Sequence, residues 1–258
     1  MNTEHWAEFP YDQTPYTYDG QALIDAWPRL HRGDCEPLPD DEQLLEAWRR
    51  YHAGDFAGAV TLAGEIGIAA HAVANKASGI YADYLEEDDD VKLAIYETGI
   101  ARAEQAIADY PEDANAHYFR AFLLGRYSQC ISIAKALSQG VGGKIRESLE
   151  AALELAPDHA EAHTALGVYH AEIIDKIGKM IGAMTYGASA EEAMKQFERA
   201  LELTPDAPIA NLEYGNGLYL LFGDKRLDES NAAYEKAAAI EPIDAMQKLD
   251  VEFAKASI

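Results

Sequence analysis

A short pattern ending in proline recurs along this chain. Ala106-Ile107-Ala108-Asp109-Tyr110-Pro111, Ala152-Leu153-Glu154-Leu155-Ala156-Pro157 and Ala200-Leu201-Glu202-Leu203-Thr204-Pro205 align without gaps, and a fourth copy ends at Pro242 after Ala237-Ala238-Ala239-Ile240-Glu241. Each is a helix end, because proline has no N–H to continue a helix and disfavours helical backbone in the residue before it. The residues after each proline repeat as well: Glu-Asp-Ala-Asn-Ala-His after Pro111, Asp-His-Ala-Glu-Ala-His after Pro157 and Asp-Ala-Pro-Ile-Ala-Asn after Pro205. Asp in these stretches favours capping of the next helix N-terminus. A unit repeated at this period buries its apolar face only by stacking on its neighbours, so the chain is expected to fold as an all-α repeat array.

Small residues at Ala121, Gly167 and Gly215 let one helix approach another closely, and the aromatics Phe197 and Tyr234 fill the gaps. An N-terminal copy carries Trp48, Tyr51, Gly54-Asp55-Phe56 and Ala59. Taken together these residues resemble the tetratricopeptide (TPR) signature over residues 40–242. The resemblance implies a right-handed superhelix of about five helical hairpins. The expected pairs are 40–53 with 56–67, 69–85 with 91–110, 114–137 with 142–156, 160–184 with 189–204, and 207–223 with 228–241. A capping helix over 243–256 closes the last apolar face.

The spacing departs from that of a standard repeat, about 34 residues. Prolines 111, 157, 205 and 242 are 46, 48 and 37 residues apart. The extra length is assigned to elongated first helices, 114–137 and 160–184. Long-armed repeats of this kind resemble those of the regulator-of-microtubule-dynamics proteins, through Asn115-Ala116-His117, Gly143-Lys144-Ile145-Arg146-Glu147 and Ala162-His163-Thr164-Ala165-Leu166-Gly167. They are also similar to a TPR protein associated with TRAP transporters, although that protein's lipid-attachment cysteine and leader have no counterpart here.

Residues 1–39 form a segment of different character, an aromatic and proline-rich arm (His5 to Tyr11, Thr14 to Tyr18) with a short helix over 20–30. So many aromatics are unfavourable in water, and the arm is expected to lie against the repeat domain, residues 40–258, inside its groove or beside it, in the same or a neighbouring subunit.

Charge narrows the partners. The net charge is −24, and such a surface repels phosphate backbones and anionic membranes. Residues 1–113 hold 7 basic and 24 acidic side chains, 114–180 hold 7 of each, and 181–258 hold 7 and 14. Arg120, Arg126, Lys135, Lys144, Arg146, Lys176 and Lys179 thus lie in a neutral middle, either as solvated charge or as a basic lining for an acidic group. No nucleic-acid partner and no membrane insertion are expected, since no stretch nears the ~20 apolar residues of a membrane span. The first residues lack the basic and apolar run of a secretory signal, so a cytoplasmic location is expected if the N-terminus is native. Cys35 and Cys130 are read as reduced thiols, Cys130 within the core.

Chemistry-bearing motifs are sparse. There is no phosphate-binding glycine loop, metalloprotease helix or nucleophile elbow, and Gly140-Val141-Gly142-Gly143-Lys144 reads as a structural turn. Glu86-Glu87-Asp88-Asp89-Asp90 reads as a solvated loop. His117 and His163, with Asn211 in the third repeat, occupy equivalent positions and are read as packing residues rather than metal ligands. No catalytic residue, metal or cofactor is expected. In the family the first helix of each hairpin lines a concave groove. Helical spacing from each helix start selects Asn115, Tyr118, Phe122 and Arg126; then Glu161, Thr164, Val168, Glu172 and Lys176; then Ile209, Leu212, Asn216 and Tyr219. Aromatic, amide and charged groups on one face suit a peptide or partner protein, so the expected function is a non-enzymatic interaction scaffold, with homo-oligomerisation open. The alternative is a small-ligand-binding or transport-accessory protein with a pocket closed by the long helices and the arm. Leu212 stands where relatives that clamp acidic chaperone tails carry lysine, so that role is set aside.

Overall fold

The computed structural model describes residues 3–258, and these contain helices and no β-strand. The helices are α1 Gln21–Leu30, α2 Glu42–Ala53, α3 Phe56–Ile66, α4 His71–Tyr84, α5 Asp89–Asp109, α6 Ala114–Gln129, α7 Ile133–Ser138, α8 Val141–Leu155, α9 Ala160–Ile177, α10 Lys179–Tyr186, α11 Ala190–Leu203, α12 Pro208–Phe222, α13 Leu227–Ala238 and α14 Ala245–Ala256. None is long and apolar enough to cross a membrane. The proline-terminated helices end where the pattern places them, two to four residues before Pro111, Pro157, Pro205 and Pro242.

Side-chain caps set many of the helix starts. Asp41, Asp55, Asp88 and Asp113 accept backbone N–H bonds at the starts of α2, α3, α5 and α6. At α9 the cap is the buried His159, whose Nδ1 accepts from the Ala162 amide at 3.1 Å. At α12 no side chain caps, and Pro208 sits in the first turn, where its missing N–H costs nothing.

The elongated first helices are not continuous. The stretch 114–137 breaks after Gln129, because Ser132 turns its hydroxyl onto the Lys135 amide and starts the separate helix α7. The stretch 160–184 breaks at Gly178, whose φ of +83° lies outside the helical region and is open to glycine alone at low cost. Cys130 stands at the first break and is exposed rather than in the core. In the second hairpin the additional length belongs to α5, the second helix, at 21 residues.

The chain forms two compact units. The first contains the residues through His31, residues 36–141 and residues 243–246; the second contains residues 32–35, 142–242 and 247–258. In the first unit the aromatic arm lies on α2, α3 and α4. Trp6 stacks on Tyr81 with ring centroids 3.9 Å apart, and the Ala7 amide donates to the Tyr81 hydroxyl. Phe9 is buried edge-on to Phe56 and lies over Gly54, where a Cβ would fall 2.7 Å from its ring. Helix α1 buries Leu23 and Trp27, the latter edge-on to Trp48 of α2. Beside them His52 bonds Asp244 at 2.9 Å through Nδ1 and His31 at 3.2 Å through Nε2, all three buried.

In the second unit α9 packs on α11 and α12, and α12 on α13. Phe197 is fully buried against Gly167 and Gly217, and Tyr234 lies against Gly215. Leu212, Ala237 and Ala254 close the core under α14.

Candidate functional site

The equivalent residues of successive repeats perform one local task. His117 Nε2 donates to the Pro111 carbonyl at 2.9 Å, His163 Nε2 to the Pro157 carbonyl at 2.9 Å, and Asn211 Nδ2 to the Pro205 carbonyl at 3.3 Å. Each ties the start of a first helix to the proline that ended the helix before it. The two histidines are thereby occupied, and among the described residues no group of His, Cys, Asp and Glu is placed to hold a metal ion. The acidic loop is equally occupied: Glu86 accepts from the Tyr81 hydroxyl and from the amides of Glu87 and Asp88, while Asp88 caps α5. Gly140 takes φ +65° in a turn.

Perturbed titrating groups are scattered, and each has a local cause in burial, hydrogen bonding or a neighbouring charge. The Arg49 and Arg50 guanidiniums hold the Glu46 carboxyl down at about 2. Burial pushes the Tyr169 hydroxyl up to about 12 and lowers the His170 imidazole, against the opposing pull of Glu192. Burial and the carboxylates of Asp34, Asp158 and Glu161 raise the Cys35 thiol to about 11, which leaves it a poor nucleophile at neutral pH.

The first-helix faces differ in the two units. In the first unit Asn115 and Tyr118 are buried, and the Asn115 amide donates to the Glu36 carboxylate at 2.6 Å. Glu36 is positioned by its own backbone carbonyl, which accepts from the Trp27 indole at 2.9 Å. Phe122 stacks on Tyr118, packs against Gly79 and carries the Arg126 guanidinium, which pairs with Asp83 at 3.0 Å. The chain's own segment after α1 therefore engages this face.

In the second unit the Glu161 amide donates to the Gly33 carbonyl at 2.9 Å, and Arg32 pairs with Asp206, so residues 32–35 meet the starts of α9 and α12. Thr164 is buried and bonds back to the Ala160 carbonyl. Leu212 belongs to the core beneath α14 and lines no accessible face, because α14 supplies Ala254 against it. Ile209 is half-buried. One turn further along, the face opens. Val168 and Asn216 are half-buried, Glu172 and Lys176 pair at 2.9 Å, and Tyr219 is 53% exposed. Sequence spacing alone gave no sign that residues 32–36 would meet these faces, since the pairing spans 79 residues for Glu36 and Asn115.

The described chain resembles known proteins in fold and in sequence. A crystal structure of TTC0263, a thermophilic TPR protein of Thermus thermophilus, superposes with a TM-score of 0.58 at 19% identity, covering 83% of this chain and 97% of that one. No curated protein matches. The broken arms after α6 and α9 and the proline-spaced hairpins fall within residues 69–255, which match the sequence family described as regulator of microtubule dynamics protein 1-3. With well over half its length matched and a TPR-like helical fold, the chain belongs to the regulator of microtubule dynamics protein 1-3 family.

Proposed function

We propose that the protein is a non-enzymatic scaffold that holds a peptide or partner protein on the α9–α12 face of its second unit. A TPR-like helical repeat is in general a protein-interaction fold, and the same fold serves many partners, so the reading rests on the face itself. The observation that carries it is the contrast within the expected groove residues. Asn115 and Tyr118 are buried and Asn115 is engaged by Glu36, whereas Val168, Glu172, Lys176, Asn216 and Tyr219 stay accessible on two packed helices. Tyr219 is an exposed aromatic one turn from the Asn216 amide on α12, and an aromatic anchor with hydrogen-bonding neighbours is the combination that dominates interface energetics.

Affinity capture from source-cell lysate with wild type and a Val168→Arg/Tyr219→Ala variant tests this. Both positions lie at the accessible face, so the variant is expected to remain folded by circular dichroism. A protein recovered near stoichiometry with wild type is expected to bind the variant at least about tenfold more weakly, as for loss of an aromatic anchor. Equal recovery by both forms, or none by either, contradicts the assignment.

A further inference from the structure

Helix α10 turns apolar residues outward as well as inward. Its buried residue is Gly182, where a Cβ would lie 3.1 Å from the Ile173 side chain of α9 and 3.5 Å from Ala188. At 3.6 residues per turn, the positions two before and two after Gly182 lie on the opposite side of the helix. They hold Met180 and Met184, which are 74% and 84% exposed, and Ile181 beside them is 55% exposed. Residues four apart on a helix are neighbours, so the three side chains form one patch. Among the described residues the two methionines are the most exposed large apolar side chains. A helix apolar all round is ordinarily buried. A contiguous apolar patch, unlike a single exposed leucine, marks an interaction surface.

Charge points to the occupant. Residues 180–190 carry no charged side chain and form the longest uncharged run in a chain of net charge −24. A second copy, itself at −24, is repelled over most of the surface and can approach where no charge stands. The two methionines are also self-complementary. A two-fold axis at the level of Gly182 that sets two α10 helices antiparallel puts Met180 of each copy against Met184 of the other, the reciprocal contact that a symmetric dimer needs. The same axis puts Lys179, the only charged residue of α10, beside the C-terminal end of the other α10, where helix carbonyls favour a cation. The cation already near that end, Arg146, donates to the Tyr186 carbonyl at 3.0 Å and has its charge met by Glu150 at 2.7 Å.

We propose that α10 is a dimerisation surface whose outward face seats antiparallel on the same face of a second copy of this chain. A stable interface buries about 800 Å² per partner, more than three side chains of one short helix supply. The dimer is therefore weak, with a dissociation constant on the order of 100 µM. Apolar contact drives assembly and net repulsion opposes it, so association is expected to strengthen in salt. The surface uses none of the residues of the α9–α12 face, and the scaffold reading does not depend on it.

Sedimentation equilibrium of the full chain is the test, from about 5 µM to about 1 mM, a range that brackets the expected dissociation constant. The average mass of wild type is expected to climb from the 28.3 kDa of one chain towards twice that value, and to climb further in added sodium chloride. Met180→Glu/Met184→Glu changes exposed positions, so it is expected to keep its circular dichroism spectrum while dimerising at least about tenfold more weakly. Met180→Leu/Met184→Leu is expected to dimerise as wild type does. Lys179→Glu, counted twice in a dimer, is expected to weaken association about threefold or more. A wild type that stays at the mass of one chain throughout overturns the proposal, as does a glutamate double variant or a Lys179→Glu protein that dimerises like wild type. A monomeric wild type that floats with phosphatidylcholine vesicles, and a glutamate double variant that does not, would overturn it by assigning the face to a lipid surface.

Discussion

Phe197 has its ring clasped by two glycines on different helices. A Cβ at Gly167 would lie 2.8 Å from the ring, and one at Gly217 would lie 2.4 Å from it. Phe197 is fully buried, so it has nowhere to retreat. Gly217→Ala sets two effects against each other. Alanine gains up to about 1 kcal/mol over glycine in a helix interior, while overpacking a closed core costs about 1–3 kcal/mol. The second effect is expected to win, giving a net loss of about 1–2 kcal/mol in urea unfolding. Gly125→Ala, in α6 with no atom within 4 Å of its Cβ, isolates the first effect and is expected to stabilise. A Gly217→Ala protein as stable as Gly125→Ala would show that the ring has room to move. The repeat made Gly167 and Gly215 legible as contact glycines, because their register recurs. Gly217 was not legible, since nothing in its own sequence neighbourhood says that an aromatic from α11 arrives there.

At the scale of elements, the hairpin register and the proline stops follow from local residue types. The interruptions of the long first helices do not. Ser132 and Gly178 were each tolerable within a helix by composition; the serine hydroxyl engaging the Lys135 amide and the glycine at φ +83° decide the breaks. The short helix α10 after Gly178 leaves Met180, Ile181 and Met184 exposed. The N-terminal arm behaves as part of the first unit rather than as a tail, through the Trp6–Tyr81 stack and the burial of Phe9 and Tyr16. Starting the chain at Asp19 is expected to cost at least about 3 kcal/mol, from buried aromatic side chains at roughly 1.5–3 kcal/mol each. The check is the melting temperature of the truncated chain, and a value equal to that of the full chain would refute the packing role.

For the molecule as a whole, charge sets the solution behaviour. Surface ion pairs such as Lys176–Glu172 and Lys195–Glu192 are worth about 0–1 kcal/mol each and weaken in salt. The self-repulsion of a net −24 is also screened by salt, and it acts over the entire chain. Repulsion is expected to dominate, so the melting temperature should rise as sodium chloride goes from about 10 mM, where the Debye length is about 30 Å, to about 1 M, where it is about 3 Å. A fall over that range would mean that the ion pairs outweigh the repulsion.

Local sequence settles whatever is written within a few residues. It specified the all-α class, the proline-bounded hairpins, the contact glycines of the repeat and the family resemblance, because helix stops, caps and apolar spacing act locally. Tertiary structure alone decided which expected groove residues remained open. It brought Glu36 to Asn115 across 79 residues and Asp244 to His52 across 192. Those pairings depend on which surfaces remain to be covered once the hairpins have stacked, and no periodicity along the chain encodes that.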